Sequence, residues 1–473
     1  MLIDIVKQLF YRFGGTFFSF ISQILLVRVY GASFLGDITL VVSSVGILSV
    51  LTDLGISNAI KKFIASEEKG FFIFNAFVLK LILLLLFVIA NVILCHMSYF
   101  DFQNMNLKMY WCALLCISIS IIADLFTSIY QANKNFTFLG RIGVISSLFG
   151  LIITVFCCLF PTIGWLLVIV PFVLDILIFI TGIYHYRRFI SPFDNKFVIV
   201  ETKRILKFSH SLIFSSIISR LFSYLDKIVI SWMFGKYDLG LYQIANTLYA
   251  KLDVVVKTVT TTIYPFIINN IVKKKHYLNY SFRLLVSWFN ILSVFIFLIL
   301  ILISKDLLQI LYQIQNDIVV LTFQLLCLEI LCKLLWRPYL IVLQGLNKHH
   351  LVNYFSIFSC FYRVGIWYIL FILKDFINLG IASFPLTEFI IWFSVNGLIS
   401  LYSLRNNSLT VFTVKIICKI WLSGFIIIIF MVITKFNILL YPLYVTLYLI
   451  ILYFNKPLSK RQFLISLSYL RKM

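Results

Sequence analysis

Ten basic side chains, Arg12, Arg28, Lys80, Arg220, Lys227, Lys251, Lys257, Lys333, Arg337 and Arg363, fall inside apolar stretches long enough to cross a membrane. A lysine or arginine near the bilayer centre costs about 2.5–3.5 kcal/mol on insertion scales. A chain that carries so many must use some of them. Buried cations in that setting mark a pathway for something anionic.

Spacing sorts these charges into groups. In the stretch 209–233, Arg220 and Lys227 are seven residues apart and share one helical face, with Ser216 and Ser223 at compatible positions. Asp226 adjoins Lys227 but faces about 100° away. Such a stripe either lines a water-filled cavity or builds an ion-pair network between helices, and the cavity is preferred. In 239–262, Asp253 and Lys257 are four apart and neutralise each other, a structural pairing. Lys251 lies on a different face with no acidic residue at helical spacing, which makes it the better ligand candidate. Glu329, Lys333 and Arg337 form one stripe in 319–343, where the single carboxylate leaves net positive charge. Arg337 precedes Pro338, where a kink is expected, and snorkelling to the interface suits it.

The first half supplies Arg12, above Gly14-Gly15 and a run of Thr16, Ser19, Ser22 and Gln23 suited to lining a cavity. Arg28 and Lys80 lie near span ends, where snorkelling is the default. Asp53, at the inner end of 37–60, fits an interfacial carboxylate as well as a relay. Asp124, with Ser128 and Gln131 at helical spacing, and the isolated Asp175 are coupling candidates. Arg363 sits mid-span beside Tyr362, and Glu388 carries a proton if buried. The candidate cationic cavity is therefore Arg12, Arg220, Lys227, Lys251 and Arg363 with Lys333. Asp53, Asp124, Asp226 and Glu329 are candidates for ion or proton coupling. No catalytic constellation, cofactor motif or metal-ligand spacing is present: the nine cysteines lie in apolar segments without a Cys-x-x-Cys pair, and His349-His350 reads as a solvated turn.

The elements that must hold these residues are membrane helices. Of 473 residues, 62% are hydrophobic and 12% charged, and the mean hydropathy is +1.03. That composition excludes a soluble domain. The net charge of +22 does not point to nucleic acid, because it falls in short loops between apolar runs rather than on a solvated face. A span needs about 20 apolar residues, and that window finds fourteen: 9–30, 37–60, 71–97, 109–130, 142–160, 164–184, 209–233, 239–262, 282–303, 319–343, 351–373, 380–403, 417–434 and 438–454. With no short cleavable leader, the first span is expected to be retained. Placing the N-terminus in the cytoplasm puts Lys61, Lys62, Lys134, Arg141, Arg187, Arg188, Lys273, Lys274 and Lys275 on the inner side, while single lysines such as Lys108 and Lys236 occupy outer loops. The positive-inside bias thus expects both termini in the cytoplasm.

The most polar connection, 185–208, separates the first six spans from the rest and serves as a headgroup-binding linker or as a hinge. Across it an internal repeat appears. "YGASFLGDITL" (30–40) and "FGKYDLGLYQI" (234–244) align Gly31 with Gly235, Leu35 with Leu239 and Gly36 with Gly240. Each passage is expected to be the outer turn between an odd span and the next, its glycines meeting a positive φ or a close backbone contact. Two six-helix halves follow: 1–186, a linker at 187–208, 209–404, and then 405–473 with two peripheral helices and a basic tail.

With "LLVRVYGASFLGDITLVVSSVGILSVLTDLGISNAIKKFIA" (25–65) and "SYLDKIVISWMFGKYDLGLYQIANTL" (223–248), the chain resembles polysaccharide-biosynthesis flippases of the O-antigen transporter type. These belong to the multidrug/oligosaccharidyl-lipid/polysaccharide exporter superfamily. The second passage keeps the family-like order Asp226, Gly235, Gly240, Tyr242, whereas Ile38 stands where the family commonly has Tyr. The resemblance implies an all-α polytopic protein of about 14 helices, with a V-shaped pair of six-helix lobes and two C-terminal helices. It implies translocation of undecaprenyl-diphosphate-linked oligosaccharide to the outer leaflet of the bacterial inner membrane, without enzymatic activity. Its partners are then the lipid-linked substrate and the bilayer, with a polysaccharide polymerase and a chain-length regulator, and no nucleic acid.

Two other classes are open to such a chain. A cation-coupled multidrug exporter of the same superfamily would favour an acidic cavity, whereas these intramembrane charges are mostly basic. A membrane polymerase or transferase would need a sizeable outer loop or a surface constellation. The outer loops are short, the longest being 98–108 and 304–318, and no Asp-x-Asp site occurs.

Overall fold

The computed structural model describes residues 2–65, 71–96, 106–133, 135–189, 199–273, 275–345, 349–372 and 379–406. The expected spans 417–434 and 438–454 lie outside the described residues, as do the side chains of Arg12, Ser216, Lys257 and Arg337. The described elements are helical: α1 (Leu2–Ser49), α2 (Ile56–Ala65), α3 (Phe71–His96), α4 (Leu107–Ala132), α5 (Phe136–Leu159), α6 (Val173–Phe189), α7 (Ile199–Phe234), α8 (Lys236–Lys273), α9 (Lys275–Tyr312), α10 (Asp317–Gly345), α11 (His349–Ile372) and α12 (Ser383–Asn406). In hydrocarbon a helix satisfies every backbone group within its own segment, which is why such apolar runs adopt it. Among the described residues, six stretches are long and apolar enough to cross a membrane, the first of them Phe13–Thr52 with 40 residues. The protein is a polytopic all-α membrane protein.

Several expected boundaries shift. The turn expected over 30–40 shrinks to one residue, Gly31, with φ 79° inside an otherwise continuous α1. Span 37–60 is interrupted by a 3-10 turn at Val50–Thr52 and a positive φ of 41° at Leu54 before α2 begins. Spans five and six are separate, parted at Phe160. The sixth opens as a 3-10 helix, Pro161–Phe172, with prolines at its start and inside it, where a missing N–H suits this winding poorly to an α-helical ladder. The linker is shorter than 185–208, because α6 continues to Phe189 and α7 has already begun at Ile199. Lys273 ends α8 and Lys275 begins α9, and α10 continues through Pro338.

Two compact units emerge, Met1–Ile244 and Ala245–Met473. In the first, α4 is central. Its Ala123, Leu125, Phe126 and Ile129 are buried against Ile56 and Ile60 of α2, Ile73 and Ala76 of α3, Ile142 of α5, Ile178 of α6 and Ile205 of α7. The N-terminal turns of α7, read in the sequence as linker, are therefore core, with Thr202 near Asn75 at 3.4 Å. In the second unit α10 packs on both α9 and α12, and α11 on α12.

The internal repeat is visible as a reciprocal contact within the first unit. Gly235, like Gly31, holds a positive φ (94°) and starts a helix. Gly36 and Gly240, each five residues further on, face one another. A Cβ on Gly36 would overlap the Lys236 carbonyl oxygen, one on Gly240 would overlap the Ala32 carbonyl oxygen, and each would lie 3.2 Å from the other glycine's amide nitrogen. In each repeat, one glycine thus meets the positive φ and the other the close contact. Lys236 Nζ also pairs with Asp37 Oδ1 at 3.1 Å beside this crossing.

A candidate anion-binding cluster

Asp53 owes its position to the break between α1 and α2. Its backbone carbonyl accepts from the Ile56 N–H at 2.8 Å. Its Oδ1 accepts from the Ser57 hydroxyl at 2.6 Å and the Ser57 N–H at 3.3 Å, capping the first turn of α2. The same oxygen accepts from Lys80 Nζ of α3 at 3.0 Å. Lys80 is 1% exposed, so the sequence expectation that it snorkels at a boundary is corrected. The signal was a carboxylate 27 residues earlier, which helical spacing does not reveal.

The second carboxylate oxygen faces a different cation. Arg220 of α7 places Nη2 3.7 Å from Asp53 Oδ2 and Nη1 3.5 Å from Asp124 Oδ2 of α4. These are ion-pair distances but too long for strong hydrogen bonds. The Arg220 side chain is 46% exposed. One carboxylate therefore ties a buried lysine on one side and loosely holds an accessible guanidinium on the other. Lys61, read only as an inner-loop charge, joins this group. Burial pushes its ammonium down from the ordinary value, while Asp124 and Asp53 pull it back up. Among the described residues, Lys61, Lys80 and Arg220 gather about Asp53 and Asp124, with Asp175 within electrostatic reach of Asp124.

The remaining described residues of the α7 stripe differ in exposure, Ser223 being exposed and Lys227 half-buried. A Cβ on Gly46 would come within 2.6 Å of the Tyr224 ring. Lys227 is half-buried with Nζ 5.9 Å from that ring's centroid. Asp226 is half-buried as well. Ser223 donates its hydroxyl to the Arg220 carbonyl at 2.6 Å, so it serves its own helix. Asp175 accepts from the Ser120 hydroxyl at 2.6 Å, and Ser128 donates to the Asp124 backbone carbonyl at 2.9 Å, not to its carboxylate.

Two further expected cations lie in the second unit, each with a carboxylate. Lys333 pairs with Glu329 at 2.7 Å, as its spacing predicts. It also donates to the Tyr249 hydroxyl and sits 5.1 Å and 5.4 Å from the Tyr249 and Trp392 ring centroids. Arg363 Nη2 lies 2.6 Å from each oxygen of Glu388, a partner spacing alone could not supply. Asp253 is buried on α8, and Lys251 is half-buried. Lys333 and Arg363 are thus enclosed and paired, whereas Arg220 combines charge with access. Arg28 is exposed on α1.

The run after Arg12 lines a cavity in part. Thr16 and Ser19 help enclose a space of about 420 Å³ among α1, α4, α5 and α6, with Gln131 of α4 on its wall. Ser22 does not join them, because its hydroxyl shares a 2.6 Å hydrogen bond with that of Thr154. Among the described residues, no group of three or more His, Cys, Asp or Glu is placed to hold a metal ion.

Solved structures share this arrangement of helices. The lipid II flippase MurJ, in an inward closed conformation, matches with a TM-score of 0.72 and 15% identity, covering 96% of this chain and 98% of that one. A Vibrio cholerae MATE transporter, VcmN in its bent form, matches with a TM-score of 0.55 and 16% identity over 86% and 98%. A multidrug resistance MATE family transporter of the MOP superfamily, inward-facing, gives 0.58 and 13% identity over 85% and 98%. At these identities the likeness establishes the fold. No curated protein matches the chain. The sequence itself supplies the family: residues 6–271, more than half the chain, match the family described as polysaccharide biosynthesis protein. That stretch contains Asp53, Lys80, Asp124, Arg220 and both halves of the glycine repeat, and the chain belongs to the polysaccharide biosynthesis protein family.

Proposed function

We propose that the chain is a flippase for undecaprenyl-diphosphate-linked oligosaccharide, an O-antigen or similar repeat unit, moving it from the cytoplasmic to the outer leaflet of the bacterial inner membrane. The observation that carries this reading is Arg220, an accessible guanidinium that meets Asp124 and Asp53 loosely, at 3.5 and 3.7 Å. A lipid diphosphate offers stronger, bidentate charge-assisted hydrogen bonds than either carboxylate gives at those distances. Its arrival would release Arg220 from Asp124, while Asp53 keeps Lys80 through its other oxygen. Arg220 and its two carboxylates all lie in the first compact unit, on α7, at the break before α2 and on α4. Alternating access moves the headgroup across while the polyprenyl tail stays in lipid. The MurJ likeness supports such a substrate, since that protein is a lipid II flippase.

The test is transport by the full chain reconstituted in liposomes, with undecaprenyl-diphosphate-linked N-acetylglucosamine as one probe and ethidium as the other. Protein-dependent movement of the lipid probe supports the flippase. Movement of ethidium alone would overturn it in favour of a drug exporter.

A further inference from the structure

Resting on the flippase reading, we infer that the cavity in the first unit is a subsite for an uncharged pyranose ring of the lipid-linked glycan, separate from the cationic cluster. Its volume of about 420 Å³ lies within the roughly 300–1,000 Å³ of small-ligand pockets and far above the ~30 Å³ that one water occupies. Among the described residues, none that lines it is an acid, lysine, arginine or histidine. Its polar groups are the hydroxyls of Tyr11, Thr16, Ser19, Thr127 and Ser147 and the amide of Gln131. The Arg141 guanidinium donates to the Tyr11 hydroxyl at 3.3 Å, so that cation is engaged with the wall, and a lipid tail would desolvate the hydroxyls for nothing.

Hydrogen bonding narrows the ligand further. Ser19 donates to the Thr16 carbonyl at 3.0 Å, Thr127 to Ala123 at 2.9 Å and Ser147 to Gly143 at 2.9 Å. With their protons committed to their own helices, the Thr127 and Ser147 hydroxyls offer lone pairs to the cavity. Gln131 adds two donors and an acceptor on the same wall. A wall rich in acceptors with one mixed amide matches a ring bearing several hydroxyl donors. Gly143 of α5 leaves room on this side, since a Cβ there would meet no atom within 4 Å.

Position ties the cavity to the cluster. Thr127 and Gln131 follow Asp124 on α4 by three and seven residues, about 4.5 and 10.5 Å along the axis, on one face. A headgroup whose diphosphate meets Arg220 beside Asp124 has its first sugar within reach of these side chains.

The experiment measures binding by the full chain in nanodiscs, using undecaprenyl diphosphate and undecaprenyl-diphosphate-linked N-acetylglucosamine. A Cβ on Gly143 meets no atom within 4 Å, so Gly143→Leu grows into open space; Gln131→Leu removes the amide at similar size. Either variant is expected to weaken the sugar-bearing probe roughly tenfold, the worth of one or two hydrogen bonds, and to leave the bare diphosphate lipid unchanged. Arg220→Ala weakens both probes. Equal affinity of the two probes for the unaltered protein would overturn the sugar subsite, as would equal loss for both or for neither in Gln131→Leu, which decides the matter if Gly143→Leu does not fold. Failure of the unaltered protein to bind either probe would instead sink the lipid-diphosphate reading, and the subsite with it.

Discussion

Lys80 and Arg220 share one carboxylate but should behave oppositely when removed. Lys80 is 1% exposed and 3.0 Å from Asp53. Lys80→Met leaves that carboxylate buried and without its close cation, a change that costs about 3–5 kcal/mol for buried pairs. For a unit of 244 residues, each kcal/mol moves the melting temperature by roughly 2–4 °C, so the expected fall is about 6–20 °C. Arg220 is 46% exposed at longer distances. Solvent screening reduces such a pair to about 0–1 kcal/mol, and Arg220→Ala should move the melting temperature by no more than about 4 °C. Transport should show the reverse order, with Arg220→Ala inactive although folded. The assay is thermal unfolding of detergent-purified protein followed by tryptophan fluorescence, run beside liposome transport of the same variants. Adding Asp53→Asn to Lys80→Met should recover part of the lost stability, because the orphaned charge is removed. An unchanged melting temperature in Lys80→Met would refute the burial argument and return Lys80 to a lipid interface. Equal destabilisation by Arg220→Ala would make Arg220 a structural residue.

Other perturbations follow from the same geometry. Gly36→Ala and Gly240→Ala each drive a methyl into a backbone carbonyl and should lower stability by about 1–3 kcal/mol, whereas Gly143→Ala, with open space around its Cβ, should be neutral; thermal unfolding separates them. Glu388→Gln removes the anionic partner of Arg363 and should cost about 3–5 kcal/mol, part of which returns in Glu388→Gln/Arg363→Met. Lys236→Ala breaks a partly exposed pair with Asp37 and should cost at most about 1 kcal/mol, detectable as a shift of a few degrees at most.

Much of the fold is legible in the sequence because hydrocarbon leaves a long apolar run little choice but a helix. The glycine repeat is legible too, since Gly31 and Gly235 stand where left-handed backbone is needed and Gly36 and Gly240 where two helices cross. Boundaries were less so. The first ten residues of α7 look like a polar linker by composition, yet Ile205 among them is core. Pairings followed the same divide between local and distant. Glu329 and Lys333 are four apart and found each other on paper. Asp53 with Lys80, Arg220 with Asp124, and Arg363 with Glu388 join different helices, and spacing along one helix carries no information about them. That is why Lys80 was misplaced, why Lys61 was overlooked, and why ten apparent intramembrane cations do not reduce to a binding set by sequence alone.

The most direct measurement is the affinity of the full chain for undecaprenyl-diphosphate-linked N-acetylglucosamine in nanodiscs, with and without Arg220→Ala. The ion-pair distances of 3.5 and 3.7 Å predict that the unaltered protein binds this lipid and that the substitution weakens binding by roughly a hundredfold or more, as loss of a bidentate charge-assisted contact requires. The melting temperature should barely change. Undiminished affinity in a folded Arg220→Ala protein would contradict the account.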